Sequence, residues 1–280
     1  MIRYVSIWRI IIIFRYNRFL MLKFSIITAT FNSGGTIRDT IESVLAQSYP
    51  NYEHIIVDGA SNDRTLEIVK SYEARYSGRL KVVSERDHGI YDAMNKGIAL
   101  ADGDVVGILN SDDFFTSPDV LARVSDVLKN KELDAVYGDI HFVDADDLTK
   151  CVRYYSSRMF RRWMMLFGYQ PAHPSFYCRK ICYDKYGNFD LSFRVAADFE
   201  HLLRLIKKHR INIRYMPMDF VTMREGGAST SGLTSHKRIL TDHYKAYRKH
   251  GLYAGYCLDV VRYPIKVVEV LVSKALSPKH

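Results

Sequence analysis

From residue 22 onward the chain alternates short apolar runs with amphipathic stretches, and no other feature restricts its fold as much. Phe24–Thr30 (FSIITAT) reads as a strand, followed by Phe31–Asn32–Ser33 and an amphipathic stretch from Ile37 to Gln47 that Pro50 ends. His54–Asp58 reads as a second strand, Thr65–Tyr76 as a helix, Leu80–Ser84 as a third strand, 91–101 as a helix and Asp104–Leu109 as a fourth strand. Strands separated by helices at this spacing build βαβ units, because parallel neighbours need a long crossover to bring the chain back to its starting edge. The expected class is therefore α/β, with Thr30, Asp58 and Asp112–Asp113 delivered toward one sheet edge.

Open α/β sheets bind ligands in the crevice beyond the carboxyl ends of their strands. The fourth strand empties into Asn110–Ser111–Asp112–Asp113 at that edge. Hard divalent cations that act on phosphates take one or two carboxylates plus the substrate's own oxygens, so this pair suggests a metal site. The alternative is a turn or the N-cap of the next helix.

With 280 residues and 48% hydrophobic content the chain can bury one sizeable core, with room for one large domain and an appendage, and disorder is excluded. Cys151, Cys178, Cys182 and Cys257 make no metal-type spacing. The pair Cys178 and Cys182 reads as one face of a helix turn, and all four read as reduced, cytoplasmic thiols.

The net charge of +9 is uneven. Residues 1–20 carry Arg3, Arg9, Arg15 and Arg18 without an acid. Their apolar part, Ile7–Phe14, falls short of the roughly 20 residues a membrane span needs. Met21 reads as the natural start; the rival reading is a short basic interfacial segment. Residues 233–280 form a second basic stretch, with Lys237, Arg238, Arg248 and Lys249 interleaved with Tyr244, Tyr247 and Tyr253. Pro264 divides this tail, and Val267–Val272 supplies an apolar face. No nucleic-acid module accompanies it. Two readings stay open: an amphipathic tail on an anionic membrane surface, or a helix packed on its own domain.

Four ordered blocks carry a resemblance: Phe24–Asn32 (FSIITATFN), Asp58–Thr65 (DGASNDRT), Glu85–Gly97 (ERDHGIYDAMNKG) and Asn110–Asp113 (NSDD). Together they resemble the family 2 glycosyltransferases, inverting enzymes of the GT-A fold, and the bacterial surface-polysaccharide branch in particular. The resemblance covers roughly residues 22–230. It implies a Rossmann-like, mixed, mostly parallel sheet flanked by helices over residues 21–232, followed by the C-terminal helical tail.

By this similarity Thr30 and Asn32 border the nucleotide of a nucleotide-sugar donor, and Asp58 accepts hydrogen bonds from its base. Asp87, Asp92, Asn95 and Lys96 are candidates for ribose, sugar or phosphate contacts, with Lys96 equally a solvated helix cation and Tyr91 a packing residue. Asp113 coordinates Mg²⁺ or Mn²⁺ directly, and Asp112 meets the ribose or an outer-shell water. The cation acts as Lewis acid on the departing diphosphate.

The catalytic base expected by resemblance is Asp198, where Ala197 replaces the Glu that many family members carry before this Asp. Phe199, Leu202, Leu203 and Ile206 mark one helical core face beside it, and the helix dipole favours an ionised carboxylate in the first turn. Glu200 is the reserve candidate, and an N-cap role for Asp198 is the structural alternative. His173, within Gln170–Phe176, is a candidate for contact with the diphosphate or transferred sugar. Arg224, opening Arg224–Ser229, reads as a phosphate partner on a flexible loop.

The expected protein is thus a metal-dependent inverting glycosyltransferase, moving a sugar from a UDP-hexose type donor to a saccharide or lipid-linked saccharide in surface polysaccharide synthesis. It acts in the cytoplasm or at the inner face of the cytoplasmic membrane. A nucleotide-sugar-binding protein without transfer activity and a nucleotidyltransferase are the alternatives, the latter disfavoured because Thr30–Ser33 is no glycine- and basic-rich phosphate loop.

Overall fold

A computed structural model of the chain describes residues 21–226 and 233–252. Its N-terminal half follows the alternating pattern: β1 (Phe24–Thr30), α1 (Ile37–Leu45), β2 (Tyr52–Asp58), α2 (Thr65–Ser71), β3 (Leu80–Ser84), α3 (Ile90–Leu100) and β4 (Val105–Ile108). A short β5 (Phe114–Phe115) and α4 (Val120–Leu128) lead to β6 (Ala135–Val143), β7 (Cys151–Tyr155) and β8 (Tyr177–Arg179). After α5 (Lys180–Tyr186) come α6 (Ala197–Leu202), β9 (Ile213–Arg224) and α7 (Leu233–Lys249).

All the described strands join one sheet in the order β3-β2-β1-β4-β8-β6-β9-β5, with β7 added beside β6. β1 lies parallel to both β2 and β4, and β2 parallel to β3. Beyond β4 the sheet is mixed, since β8 runs antiparallel to both neighbours while β6 and β9 are parallel. Thr30 stands opposite Asp58, and Asp58 opposite Ser84, so three strand ends align at one edge.

Alternation of side chains along β1 sends Ile27 to one face and Phe24 and Ile26 to the other. Ile27 joins a core with Ala93, Met94 and Ile98 of α3 and Phe199 and Leu202 of α6. Phe24 and Ile26 pack with Ile37, Ile41 and Val44 of α1 and Val120, Leu121 and Val124 of α4. Helix α3 rests directly on β1 at Gly97, where an added Cβ would lie 2.3 Å from Ile27 Cγ2. That contact fixes the height of α3, and with it the loop that precedes it.

One reading of the sequence changes, and of the two left open for the C-terminal segment the packed helix is seen over its described part. Cys178 lies on β8 and Cys182 on α5, so the pair shares no single helical face; both thiols are buried and free, and Cys151 is also free. The segment 233–252 packs on the domain. Phe199 of α6 stacks on His243 with ring centroids 3.7 Å apart, and Lys249 and His250 reach Glu200 at 2.9 and 2.7 Å. Residues 1–20, Gly227–Ser229, and Pro264 with Val267–Val272 lie outside the described residues. Among the described residues no helix is long and apolar enough to cross a membrane.

Candidate active site

A cleft of about 630 Å³ opens at the aligned strand ends, walled by Thr30, Phe31, Asp87, Tyr91, Asp112, His173, Arg194, Asp198 and Arg224 among others. Thr30 ends β1 with its Oγ1 buried and lacking a hydrogen-bond partner among the described residues. Phe31 follows with 62% of its surface exposed. An apolar ring left in solvent beside a strand end is a ready platform for a planar base.

Asn32 is off the cleft wall. It adopts a left-handed backbone (φ 50°), and its side chain accepts the Asn62 N–H at 3.0 Å while its own N–H donates to Ser61 Oγ at 2.8 Å. It thereby ties the β1 exit to the β2 exit. Asp58 is fully buried, with its carboxylate accepting from the Ser61 N–H at 3.0 Å, from the Ser61 hydroxyl, and from Ser84 Oγ at 2.7 Å. Its oxygens hold the turn after β2 together.

The loop before α3 is built by acids that fold back on backbone donors. Asp87 accepts from Gly89 N–H at 2.9 Å and faces the cleft. It crowds Gly59, where a Cβ would sit 2.6 Å from Asp87 Oδ2 and would displace that carboxylate. Asp92 accepts the His88 N–H at 3.0 Å, a bond that holds its carboxyl below the ordinary range. Asn95 clamps Phe189 from both sides, donating to its carbonyl at 2.8 Å and accepting its N–H at 3.0 Å. Lys96 pairs with Glu85 at 2.8 Å and donates to Arg86 O at 2.9 Å. Of these four, Asp87 alone lines the cleft, and the other three brace the walls.

The two adjacent aspartates have different surroundings. Asp112 is on the cleft wall, whereas Asp113 is 1% exposed, absent from that wall, and has an Oδ1 without a partner among the described residues. Burial and then the neighbouring Asp112 charge push the Asp113 carboxyl well above its usual value. Asn110 donates to its other oxygen at 3.4 Å. Arg224 braces this loop: it donates to the Asp112 carbonyl at 2.7 Å and pairs with Asp39 in the first turn of α1. Its guanidinium thus spends two N–H groups on protein partners while it lines the cleft.

A preformed cluster of three metal-ligating side chains is absent among the described residues. One carboxylate on the cleft wall, backed by a buried carboxylate with an orphaned oxygen, still fits a hard cation that takes most of its oxygens from substrate phosphates and water.

At the other end of the cleft stands Asp198. It occupies the second position of α6, whose N-cap is Ala196, so it is not the capping residue. Tyr91 donates to Asp198 Oδ1 at 3.1 Å and Gln170 Nε2 to Oδ2 at 3.1 Å. Burial, then the Asp198 charge, pushes the Tyr91 phenol well above its usual value, so it stays a donor. The N-terminus of α6 is capped from outside: Asp242 on α7 accepts the N–H groups of Val195 and Ala196 at 3.1 and 3.2 Å.

Glu200 faces away from the cleft and is fully buried. Burial would raise its carboxyl, but bonds from His250, Arg204 and Lys249 outweigh this and hold it far below the usual range. A carboxylate committed to Arg204, Lys249 and His250 does not serve as base, which corrects the reserve assignment. His173 lines the cleft, and burial keeps its imidazole below its usual value against the opposing Asp198 charge. Behind it, His201 is fully buried between Tyr183 and Phe189, and neither ring nitrogen has a partner among the described residues.

Gln170, Phe31, Arg194 and Asp242 were not assigned roles from the sequence. Phe31 alone had a local signal, a large apolar residue directly after a strand end.

The family model for glycosyl transferase family 2 matches residues 25–184. The chain belongs to this family. A PGL/p-HBAD biosynthesis glycosyltransferase of Mycobacterium bovis is 30% identical over 210 residues, covering 74% of this chain and 79% of the relative. An uncharacterized glycosyltransferase of Mycobacterium tuberculosis is 33% identical over 217 residues, covering 76% and 77%. Among solved structures, Staphylococcus aureus TarS in complex with UDP-GlcNAc superposes with a TM-score of 0.62 at 19% identity, over 79% of this chain and 66% of TarS. The mannosyltransferase PcManGT from Pyrobaculum calidifontis, in complex with GDP-Man and Mn²⁺, gives 0.62 at 18% identity, over 82% and 64%. This chain therefore spans just under two thirds of those two structures. The fold of this family 2 glycosyltransferase is GT-A, and the matched segment ends before α6 and α7, which carry and cap Asp198.

Proposed function

We propose that this glycosyltransferase inverts the anomeric centre of a nucleotide-sugar donor, with Asp198 as general base and a divalent cation at Asp112. The carrying observation is the Asp198 carboxylate on the cleft wall, held at both oxygens by the neutral donors Tyr91 and Gln170. Two neutral donors fix its orientation while leaving a lone pair for an acceptor hydroxyl.

In this reading Phe31 stacks on the base, and Thr30 Oγ1 and Asp87 take polar groups of the nucleotide or sugar. Asp58 and Asn32 hold the walls of the base pocket through Ser61. The diphosphate lies against the Asn110–Asp112 loop, where Mg²⁺ or Mn²⁺, once bound, neutralises charge on the leaving nucleoside diphosphate. Asp112 is the better-placed ligand because it faces the cleft; Asp113 supports from behind with its orphaned oxygen. Asp198 takes the proton of the acceptor hydroxyl as that oxygen attacks the anomeric carbon in line with the departing phosphate oxygen. His173, kept neutral, is available to hydrogen-bond the transferred sugar.

The neighbours' donors, UDP-GlcNAc and GDP-Man, support a nucleotide-linked hexose as donor class, with UDP-hexose the first to try. The acceptor we favour is a saccharide or lipid-linked saccharide presented at the cytoplasmic leaflet, in envelope polysaccharide or glycolipid synthesis. The test is a panel of UDP-, GDP- and dTDP-linked hexoses with Mn²⁺ or Mg²⁺, reading nucleoside diphosphate release by mass spectrometry. Release that disappears in Asp198→Asn, and an inverted product, are expected. A retained product, or pyrophosphate in place of nucleoside diphosphate, would overturn the mechanism.

A further inference from the structure

Two stretches of the chain carry basic residues and no acid: 148–183, between Asp147 and Asp184, and 201–218, before Asp219. Arg162 fastens them together, donating to Ile206 O at 2.9 Å and Ile211 O at 2.5 Å. Burial and then the Arg210 charge hold the Arg162 guanidinium below its ordinary value, which places like charges of both stretches side by side. On the same segment Met159 is 71% exposed and Trp163 57% exposed. Phe160 and Met165 anchor the turn from beneath, and Phe167 supports the Trp163 ring edge-on at 5.8 Å. A folded turn thus presents large apolar side chains outward amid exposed Arg158, Arg161 and Arg210.

Exposed apolar side chains gathered in one patch and rimmed by charged residues mark an interaction surface. Tryptophan prefers the boundary between hydrocarbon and water, and arginines around it are drawn to anionic headgroups. We propose that the 158–167 turn, with Arg210 beside it, docks this enzyme on an anionic lipid surface, Trp163 and Met159 entering the headgroup boundary. The inference rests on the proposed lipid-linked acceptor and supplies the surface that meets it. The same segment continues through Gly168 to Gln170, which holds the Asp198 carboxylate. Docking therefore brings the acceptor end of the cleft to the leaflet. It also differs from the reading from sequence that put the membrane contact on the tail of residues 233–280.

The test uses the full chain with Trp8→Phe, which leaves Trp163 as the sole tryptophan. Vesicles of phosphatidylcholine with phosphatidylglycerol, in plain and brominated forms, are compared with phosphatidylcholine alone. Expected are flotation with the anionic vesicles, a blue shift of Trp163 emission and its quenching by brominated chains. Arg158→Glu with Arg161→Glu should weaken partition at least about tenfold near 0.1 M salt while leaving thermal unfolding unchanged. Flotation with Trp163 unshifted and unquenched would overturn this surface and leave a membrane-docked enzyme standing. Absence of flotation under all compositions would overturn both, as would Trp163 protection by a single-stranded oligonucleotide in place of vesicles.

Discussion

Tyr91 and Asp198 meet through a 3.1 Å hydrogen bond that joins the first turn of α3 to the first turn of α6, across 107 residues of chain. The same phenol stands 2.8 Å from Val195 O, so one hydrogen is shared between the backbone that leads into α6 and the carboxylate on it. The proposed base is thereby positioned by a residue of the opposite cleft wall. Asp198→Asn should lower kcat by about 10²–10⁴ with donor KM nearly unchanged. Tyr91→Phe should cost about five- to tenfold in kcat, the rate equivalent of a bond worth ~1 kcal/mol. Steady-state kinetics on both variants measure this, and a Tyr91→Phe enzyme with altered KM alone would refute the positioning role. Glu200→Gln should spare kcat and lower the unfolding temperature.

Asp112 and Asp113 should separate under titration. Asp112→Asn is expected to raise the cation concentration for half-maximal activity at least tenfold, to about the limit of weak outer-sphere binding. Asp113 behaves differently in the cation-free protein. Its folded-state pKa is raised, so the native state keeps a proton that the unfolded state releases near pH 4, and stability falls as pH rises above that value. Asp113→Asn should remove this slope and raise the unfolding temperature at pH 7. Thermal unfolding between pH 4 and 8 without divalent cations decides it, and an unchanged slope would contradict the assignment.

Asp242→Ala removes the acceptor for the Val195 and Ala196 N–H groups while the Glu200 contacts to Lys249 and His250 keep α7 docked. Faster hydrogen exchange at residues 195–198 and a kcat loss of about tenfold, with donor KM unchanged, are expected from loss of a charged cap. Protection identical to wild type would show that the cap does not order the base.

His201 has two buried ring nitrogens without partners among the described residues, and burial holds its imidazole well below the usual value. The unfolded state therefore protonates first as pH falls below about 6.5, and stability drops with it. His201→Phe keeps the stacking on Tyr183 and should add about 1–3 kcal/mol, while reducing the loss of stability between pH 7 and 5. Some slope remains because burial holds His54 at about 3 and it titrates in the same sense. Urea unfolding at both pH values measures the difference.

The alternation from β1 to β4 was readable because strand and helix periods are local, and the strand ends follow from it. The placement of Asp198 was readable for the same reason, while its role as base came from the resemblance: the core spacing of Phe199, Leu202, Leu203 and Ile206 leaves position 198 off the buried face, and all four are buried. Two residues further on, Glu200 lies about 200° around the helix axis, so the two carboxylates point apart. What local pattern cannot carry is a partner far along the chain. Asn95 and Lys96 look alike as polar residues on α3, yet one clamps the Phe189 backbone and the other pairs with Glu85. Tyr91 reads as packing until its hydroxyl finds Asp198. Charge counting left the C-terminal segment open between a membrane-bound tail and a packed helix because it does not register that Asp242 caps α6.

That cap sets an order of events during synthesis. Domains fold from the N-terminus as the ribosome delivers them, so the donor pocket of β1–β4 can form while the rest of the chain is still being made. Asp242 leaves the ribosome after every described residue that lines the cleft, and only then does the backbone ahead of Asp198 gain its acceptor. On the proposed roles, the donor side of the cleft is complete before α7 gives the backbone ahead of Asp198 its acceptor, and transfer would await the docking of α7.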